Sequence, residues 1–445
     1  QPPYYYRDSM LSGFRGTHWI SGSCTQDYGS VTIVPVTGTL RTTLKEYSIP
    51  FSHQREITAP SYYKIELPAA GIIAEMTGTA RCGILKFTMT RDDSLYMLVI
   101  PNSDFGKGAV QVQQGVITGS NPVHRIYQGW GEQAGFNGWF CIKPQRAFAV
   151  HGVFNGEDRV TADSISGKKE AGAYIGYYLH KGESLTINIG TSFSSLSGAK
   201  LNLQQEINSR SFADVEKATR TKWENELGRI QVTGTDEKPK RVFYTALYHA
   251  MQHPRLMSDV DGSYPRFAGK NQLEKISKGG YYDDFSMWDT YRAQLPLLEI
   301  INPDLSNSLI RSLILKGQQG GWLPIFPCWN SYTAAMIGDH AGAYISAAWS
   351  KGLRDFDAKA AYTLIRKNAF ETPATFAEYK NGMGRRALES YIKFGYIPME
   401  DSVQEAFHKK EQVSRTLEYA YDDYALSQMA NGLGYRADYK DLLKR

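Results

Sequence analysis

At 445 residues the chain exceeds the roughly 250 to 300 residues at which a single hydrophobic core stops growing, so two domains are expected. No stretch approaches the roughly 18 apolar residues of a membrane span, which excludes an integral helical membrane protein. The net charge of +5 is spread along the sequence rather than gathered into runs, and this argues against a nucleic-acid binder.

The first part of the chain has the pattern of a β-sandwich. Short apolar or alternating runs are separated by Gly, Asn, Asp and Pro, as in many short strands joined by turns. These runs are 31–34, 62–67, 71–76, 84–88, 96–100, 115–119, 139–142, 148–154, 174–179 and 185–189.

The apolar period becomes helical after about Ser209. A charged segment with helical spacing ends near Gly228 and predicts a connecting helix. Further helices are predicted at 242–251, behind Pro303, and at 341–353, 357–369, 385–394 and 413–433. Because Gly-, Pro- and Trp-rich loops separate them, these helices suggest a toroid whose loops build a site at one end.

The predicted fold class is therefore multidomain β plus α, with an N-terminal β-sandwich followed by an (α/α)6 toroid. The predicted boundaries are 1–208 for the sandwich, 209–238 for a connecting helix and linker, and 239–445 for the helical barrel. Of a double ring of twelve helices, only about the first half is expected within these residues.

The densest group of chemically versatile side chains lies at 279–292. Within it, Trp288, Asp289 and Arg292 place an aromatic ring, a carboxylate and a guanidinium within five residues, as a sugar-binding pocket requires. The alternative is that Asp289 and Arg292, three residues apart on one helix, form a surface or capping ion pair.

A second group runs from Gly320 to Thr333 and leads to 338–341. It contains Trp329, Asn330 and the pair Asp339-His340. Asp339 could equally serve only as the N-cap of the following helix.

A third group is helical, and its acids Glu418 and Asp422 are four apart on one face. Paired acids can perform acid–base catalysis or bind a cation, but they can also pair with basic residues, and the structural reading is favoured. The four cysteines, Cys24, Cys82, Cys141 and Cys328, show no zinc-ligand spacing.

Taken in order, five segments resemble glycoside hydrolase family 92, the calcium-dependent exo-α-mannosidases, over nearly the whole chain. They are 288–292 (WDTYR), 320–324 (GGWLP), 329–333 (WNSYT), 338–341 (GDHA) and 416–423 (TLEYAYDD). The resemblance implies a β-sandwich packed on an (α/α)6 barrel, with calcium and a terminal mannose held between them. It also implies release of α-linked mannose, of the α-1,2 type, with inversion of configuration.

Carried over residue by residue, the resemblance implies a mannose pocket containing Trp288, Asp289 and Arg292, with Trp19 as a second wall. Trp329, Asn330, Asp339 and His340 match family motifs near the pocket and are also predicted to bind substrate. The implied substrate is an α-mannoside oligosaccharide, an N-glycan or mannan, and the implied location is the periplasm or the extracellular space.

The departures from the family are as informative as the matches. The family's acid, base and main calcium-binding motifs are expected downstream of Arg445, and its Gly-rich opening strand is expected upstream of Gln1, so no catalytic residue and no metal ligand is assigned here. Arg15-Gly16 also stands where relatives more often have a Ser-His pair. Two alternatives remain: a non-catalytic mannose-binding protein, and another inverting (α/α)6 glycosidase or phosphorylase.

Overall fold

The computed structural model describes residues 5–15, 27–102 and 105–445. The chain divides into two compact units. The sandwich unit comprises Gln1–Val123, Phe136–His249 and Asp259–Ser263, and the helical unit comprises His124–Gly135, Ala250–Ser258 and Tyr264–Arg445. Residues 124–135 therefore belong to the helical unit, although the segments before and after them in the chain belong to the sandwich unit.

The sandwich unit contains most of the strands. The strands of the described chain are β1 (Met10–Leu11), β2 (Phe14–Arg15), β3 (Val31–Thr37), β4 (Ile49–Pro50), β5 (Glu56–Ala59), β6 (Tyr62–Leu67), β7 (Ile72–Gly78), β8 (Cys82–Met89), β9 (Asp93–Pro101), β10 (Ala109–Gln113), β11 (Val116–His124), β12 (Gln133–Pro144), β13 (Val150–Asn155), β14 (Asp158–Val160), β15 (Ser164–Ser166), β16 (Ala171–Leu179), β17 (Ser184–Ser192), β18 (Arg255–Leu256), β19 (Ser263–Pro265), β20 (Leu273–Lys275) and β21 (Tyr282–Asp283).

Two large sheets enclose the core of the sandwich unit. Within the described residues, one sheet has nine strands in the order β15-β10-β11-β12-β17-β8-β7-β6-β5, and the other has six in the order β14-β13-β16-β9-β3-β2. Phe87 and Ile187 from the first sheet share one buried cluster with Met97 and Ile175 from the second. The β-sandwich prediction is confirmed.

Part of the outer face of the nine-stranded sheet is also apolar, because helices pack against it. Side chains alternate along a strand, so Leu85 and Phe87 of β8 enter the inner core, whereas Cys82 and Ile84 point outward. The outward pair packs with Leu203 of a helix in a second cluster. This explains why β8 shows no simple alternation of apolar and polar residues.

The helices of the described chain are α1 (Leu44–Tyr47), α2 (Leu196–Glu206), α3 (Phe212–Leu227), α4 (Glu237–Ala250), α5 (Met287–Thr290), α6 (Gln294–Ile301), α7 (Pro303–Gly320), α8 (His340–Ser350), α9 (Ala358–Phe370), α10 (Phe376–Lys380), α11 (Leu388–Phe394), α12 (Gln412–Leu433) and α13 (Arg436–Leu442). Two 3₁₀ turns lie at His53–Arg55 and Pro68–Ala70. None of the described helices is long and apolar enough to cross a membrane.

The long helix α7 shows how local sequence sets the bounds of a helix. The Asn302 side chain accepts the backbone N–H of Leu305, and Pro303 occupies the first turn, where its missing N–H costs nothing. Gly321 ends the helix in the left-handed conformation at φ 86°. The helix predicted behind Pro303 is therefore confirmed.

The other predicted helices are also present, with ends that differ by a few residues. The helix predicted at 385–394 begins later, at Leu388, because Ala387 has a left-handed backbone conformation at φ 55° that no helix continues through. The boundaries at 208 and 238 stay predictions. The predicted site residue Trp19, and Cys24, lie outside the described residues.

Candidate functional site

A cluster of buried polar side chains holds the loop before α8 in place. We call Tyr281, Asp283, Lys316 and Asn330 the closed cluster, and each is 0% exposed. Lys316 Nζ lies 2.8 Å from Asp283 Oδ1 and donates to the Tyr281 hydroxyl at 2.6 Å, which in turn donates to Asn330 Oδ1 at 2.6 Å. Burial lowers the pKa of Lys316, while Asp283 opposes that shift.

The side-chain amide of Asn330 is used entirely within the protein. Its Nδ2 donates to the backbone carbonyls of Pro265 at 2.8 Å and Arg266 at 3.2 Å. Its Oδ1 accepts from Tyr281 and also lies 3.3 Å from Lys316 Nζ, which donates to it. Asn330 therefore presents no side-chain atom that lacks a partner.

The backbone at Trp329 and Asn330 is held in an unusual conformation. Both residues have positive φ, 53° and 50°, a region that a bulky side chain seldom adopts. Asp284 Oδ1 accepts the Trp329 N–H at 3.0 Å, and Asp283 Oδ2 accepts the Asn330 N–H at 2.6 Å. Two adjacent buried carboxylates thus stabilise two adjacent strained residues, as is common beside functional sites.

A second group of side chains is more accessible. We call Trp288, Asp289, Arg292 and Glu418 the open cluster. Asp289 and Arg292 are exposed and Trp288 is half-buried. Asp289 Oδ2 accepts from Ser286 Oγ at 2.7 Å, whereas its Oδ1 has no hydrogen-bond partner within the described chain.

Trp288 and Arg292 face each other directly. The Arg292 guanidinium lies 4.7 Å from the centre of the Trp288 ring, and its Nε donates to the Trp288 carbonyl at 3.1 Å. The indole Nε1 of Trp288 is shielded from solvent yet has no partner among the residues described. An N–H in that state has free energy to gain from a hydrogen-bonding ligand.

Arg292 pairs with Glu418 across the helical unit rather than with Asp289. Arg292 Nη2 lies 2.7 Å from Glu418 Oε1. The alternative of an Asp289–Arg292 ion pair is therefore not what the structure contains. Glu418 therefore pairs with a basic residue, which is the structural alternative that the sequence analysis favoured for Glu418 and Asp422.

Asp339 and His340 lie at the start of α8, inside the helical unit. His340 Nδ1 lies 2.9 Å from Asp422 Oδ1, and the other oxygen of Asp422 accepts the Asp339 N–H at 2.6 Å. His340 Nε2 lies 3.2 Å from Glu418 Oε2, although the geometry is not that of a hydrogen bond. Gly338 precedes them at φ 82°, and a Cβ there would fall 2.3 Å from the His340 ring.

Asp339 occupies the N-cap position of α8, yet its side chain makes no capping hydrogen bond. Its Oδ2 instead lies 2.9 Å from Arg385 Nε, and its Oδ1 accepts from Asn368. Arg385 also pairs with Asp423 at 2.6 Å. Burial raises the pKa of Asp339, and Arg385 opposes that shift.

These geometries leave little room for a metal ion among the described residues. No group of three or more His, Cys, Asp and Glu side chains in the described ranges is arranged to hold one. Asp283, Asp339 and Asp423 each face a lysine or arginine. Ca²⁺ prefers six to eight oxygen ligands, so the described residues alone do not fit it.

Comparison with models of known protein families identifies the family of this chain. Residues 198–445 match the glycosyl hydrolase family 92 catalytic domain, and residues 1–192 match the family's N-terminal domain. The chain belongs to glycosyl hydrolase family 92.

Solved structures agree with this assignment. An inverting family 92 mannosidase of Bacteroides thetaiotaomicron is 25% identical with a TM-score of 0.87, over 99% of this chain and 57% of that one. A family 92 α-mannosidase of the same bacterium is 28% identical with a TM-score of 0.86, over 99% and 58% respectively, and has also been solved with mannoimidazole. The fold class, a β-sandwich followed by a helical domain of the toroid type, is confirmed.

A curated relative points in the same direction. An uncharacterised secreted glycosidase of Arthroderma benhamiae is 26% identical over 276 residues, which are 60% of this chain and 30% of the relative. The chain therefore spans less than two thirds of the length of the relatives it matches.

The structure divides the substrate-binding residues predicted from the sequence into an accessible group and a buried group. Trp288, Asp289 and Arg292 are neighbours in the open cluster, where the Asp289 and Arg292 side chains are exposed and the Trp288 indole Nε1 is shielded from solvent. Trp329, Asn330, Asp339 and His340 are 0 to 3% exposed. Nothing in the geometry tests the ligand-binding role predicted for either set.

Sequence reasoning missed the residues that support these two groups. Lys316 is a lysine on the apolar face of α7, three positions after Leu313, and that placement signals a buried, paired charge. The Asp283-Asp284 doublet gave a similar signal, because it is charged and lies between Tyr282 and Phe285. The partners of Asp283 are Lys316 and the backbone of Asn330, 33 and 47 residues further along the chain, and the spacing of residues in the sequence does not reveal such pairs.

Proposed function

We propose that the protein is a glycoside hydrolase that releases a non-reducing terminal α-linked mannose, of the α-1,2 type, with inversion of configuration. Membership of family 92 supports the reaction class, and the solved relatives are named mannosidases. The observation that carries the proposal is the open cluster, in which an unpartnered indole N–H and a free carboxylate oxygen lie one residue apart.

The open cluster suits a sugar for chemical reasons. The Asp289 carboxylate can accept hydrogen bonds from two neighbouring hydroxyls, and such charge-assisted bonds are the stronger kind. Arg292 covers one face of the Trp288 indole, and the indole N–H, which has no partner among the described residues, would gain a hydrogen bond if ligand binding uncovered it. These groups bind and orient the terminal sugar.

We assign the acid and the base to none of the described carboxylates. An inverting glycosidase needs one acid to protonate the leaving oxygen and one base to activate water. Glu418, Asp422 and Asp423 each contact an arginine or a histidine of the protein. Both catalytic roles belong, by resemblance, to motifs expected after Arg445.

Calcium is proposed as the cofactor on the same basis. By resemblance, its main ligands are expected in motifs downstream of Arg445. A bound calcium would supply positive charge to sugar hydroxyls.

The substrate is proposed to be an α-mannoside oligosaccharide, an N-glycan or mannan, met in the periplasm or the extracellular space. The relative from Arthroderma benhamiae is described as secreted, which supports a location outside the cytoplasm.

The test is mannose release by the natural, full-length polypeptide. It is incubated with α-1,2-, α-1,3- and α-1,6-mannobiose, with calcium and again with a chelator, and free mannose is measured. Release that is greatest with the α-1,2 linkage and stops with the chelator is expected. The anomer formed first, followed by NMR, should be β-mannose.

Two variants make this test specific. Asp289→Asn should abolish most release, whereas Asp355→Asn, which removes an exposed carboxylate paired with Lys278, should not change it. Mannose binding without turnover would support the non-catalytic alternative instead, and turnover that requires phosphate would support a phosphorylase.

A further inference from the structure

Glu418 lies on α12 and holds two neighbouring side chains, Tyr291 and Arg292, with its two carboxylate oxygens. Oε1 lies 2.7 Å from Arg292 Nη2, and Oε2 accepts the Tyr291 hydroxyl at 2.9 Å. The Glu418 side chain is 16% exposed, so these charge-assisted bonds are partly protected from water.

Tyr291 extends this arrangement into the protein interior. Its ring stacks on the His340 ring, with centroids 3.7 Å apart and an angle of 10° between the planes. The buried His340 is itself fixed by Asp422. Tyr291 can therefore rotate only if it leaves both Glu418 and this stack.

Arg292 is constrained from three sides. Its guanidinium lies against the Trp288 ring at 4.7 Å and the Tyr291 ring at 4.8 Å, and Glu418 binds its Nη2. Arginine has many side-chain rotamers, and ordering it costs conformational entropy. Glu418 provides that order before any ligand arrives.

We propose that Glu418 is a positioning residue: it holds Arg292 and Tyr291, and through Arg292 it sets the orientation of Trp288 for the sugar. This inference rests on the proposed function of the open cluster. It assigns Glu418 no proton transfer, because both of its oxygens already accept hydrogen bonds from protein side chains.

The test is Glu418→Gln in the natural, full-length polypeptide, assayed with α-1,2-mannobiose. Gln keeps the shape but loses the charge that holds Arg292. Because the loss affects ground state and transition state alike, KM should rise about tenfold while kcat stays within about threefold. If Glu418 acted as the acid or base, kcat would instead fall by about 100-fold or more.

The chain offers a closely matched control. Asp438 accepts from the Tyr362 hydroxyl at 2.5 Å and pairs with Arg366 Nε at 2.7 Å, with its side chain 15% exposed. The Tyr362 ring is also stacked, on Tyr435 at 4.4 Å. Asp438→Asn removes the same chemistry elsewhere in the helical unit and should leave KM unchanged.

Binding is measured in parallel, by calorimetry with methyl α-mannoside. If the wild type binds but does not turn over, a tenfold weaker Kd for Glu418→Gln alone supports the positioning role although the hydrolase proposal fails. If the wild type turns over and Glu418→Gln behaves like Asp438→Asn, the positioning role is wrong although the hydrolase proposal stands. A wild type that neither binds nor hydrolyses overturns both.

Discussion

The closed and open clusters of the helical unit use similar residue types for different ends. In the closed cluster, Lys316 and Asp283 are 0% exposed, and Asn330 has its amide atoms bonded within the protein. In the open cluster, Asp289 keeps a free oxygen and Trp288 an unpartnered N–H. The difference is one of access: polar groups that contact one another in the interior hold the fold, whereas the exposed carboxylate of Asp289 is available to a ligand.

This difference has an energetic basis. A buried charge that loses its partner costs several kcal/mol, whereas an exposed charge returns to water at little cost. Substitutions in the closed cluster should therefore act on stability, and those in the open cluster on binding.

The largest expected effect is that of Lys316→Met. The substitution leaves Asp283 buried without its cation and removes a donor to the Tyr281 hydroxyl, so the free energy of unfolding should fall by about 3 to 5 kcal/mol. The measurement is urea denaturation. The matched control is Lys278→Met, which breaks an exposed Lys–Asp pair of similar length, 2.7 Å, and should cost about 0 to 1 kcal/mol. Equal losses in the two variants would contradict the distinction.

An intermediate effect is expected from Asn330→Ala. The Tyr281 hydroxyl and the carbonyl of Pro265 would lose their partner, at about 1 to 3 kcal/mol for a buried unsatisfied group. Asp289→Asn, by comparison, should change the free energy of unfolding by no more than about 0.5 kcal/mol. Thermal and urea unfolding of both variants would show this. A large destabilisation by Asp289→Asn would place Asp289 among the structural residues.

The smallest expected effect is that of Trp288→Phe. Phe keeps an aromatic ring for Arg292 to stack on but removes the N–H, so methyl α-mannoside should bind about tenfold more weakly with stability nearly unchanged. Calorimetry measures the change in Kd. Trp349→Phe is the control, because Trp349 also lies beneath an arginine, Arg354, at 4.5 Å, but outside the open cluster. Unchanged affinity in Trp288→Phe would mean that its N–H does not meet the sugar.

Local sequence patterns were sufficient for most elements of the fold. The alternating runs located the strands, and Asn302, Pro303 and Gly321 set the bounds of α7. One clear pattern was nevertheless missed. Strand β10 was not predicted, although Val110 and Val112 enter the core in alternation with the exposed Gln111 and Gln113.

For the site, sequence alone determined which residue types stand near one another along the chain, notably Trp288, Asp289 and Arg292, and the order of motifs that marks the family. Only the tertiary structure decided the partners. Arg292 pairs with Glu418, 126 residues away, and Asp339 pairs with Arg385 instead of capping its helix. The physical reason is that ion pairs and hydrogen bonds depend on distances of about 3 Å in space, which spacing along the chain does not contain once the partners lie on different helices.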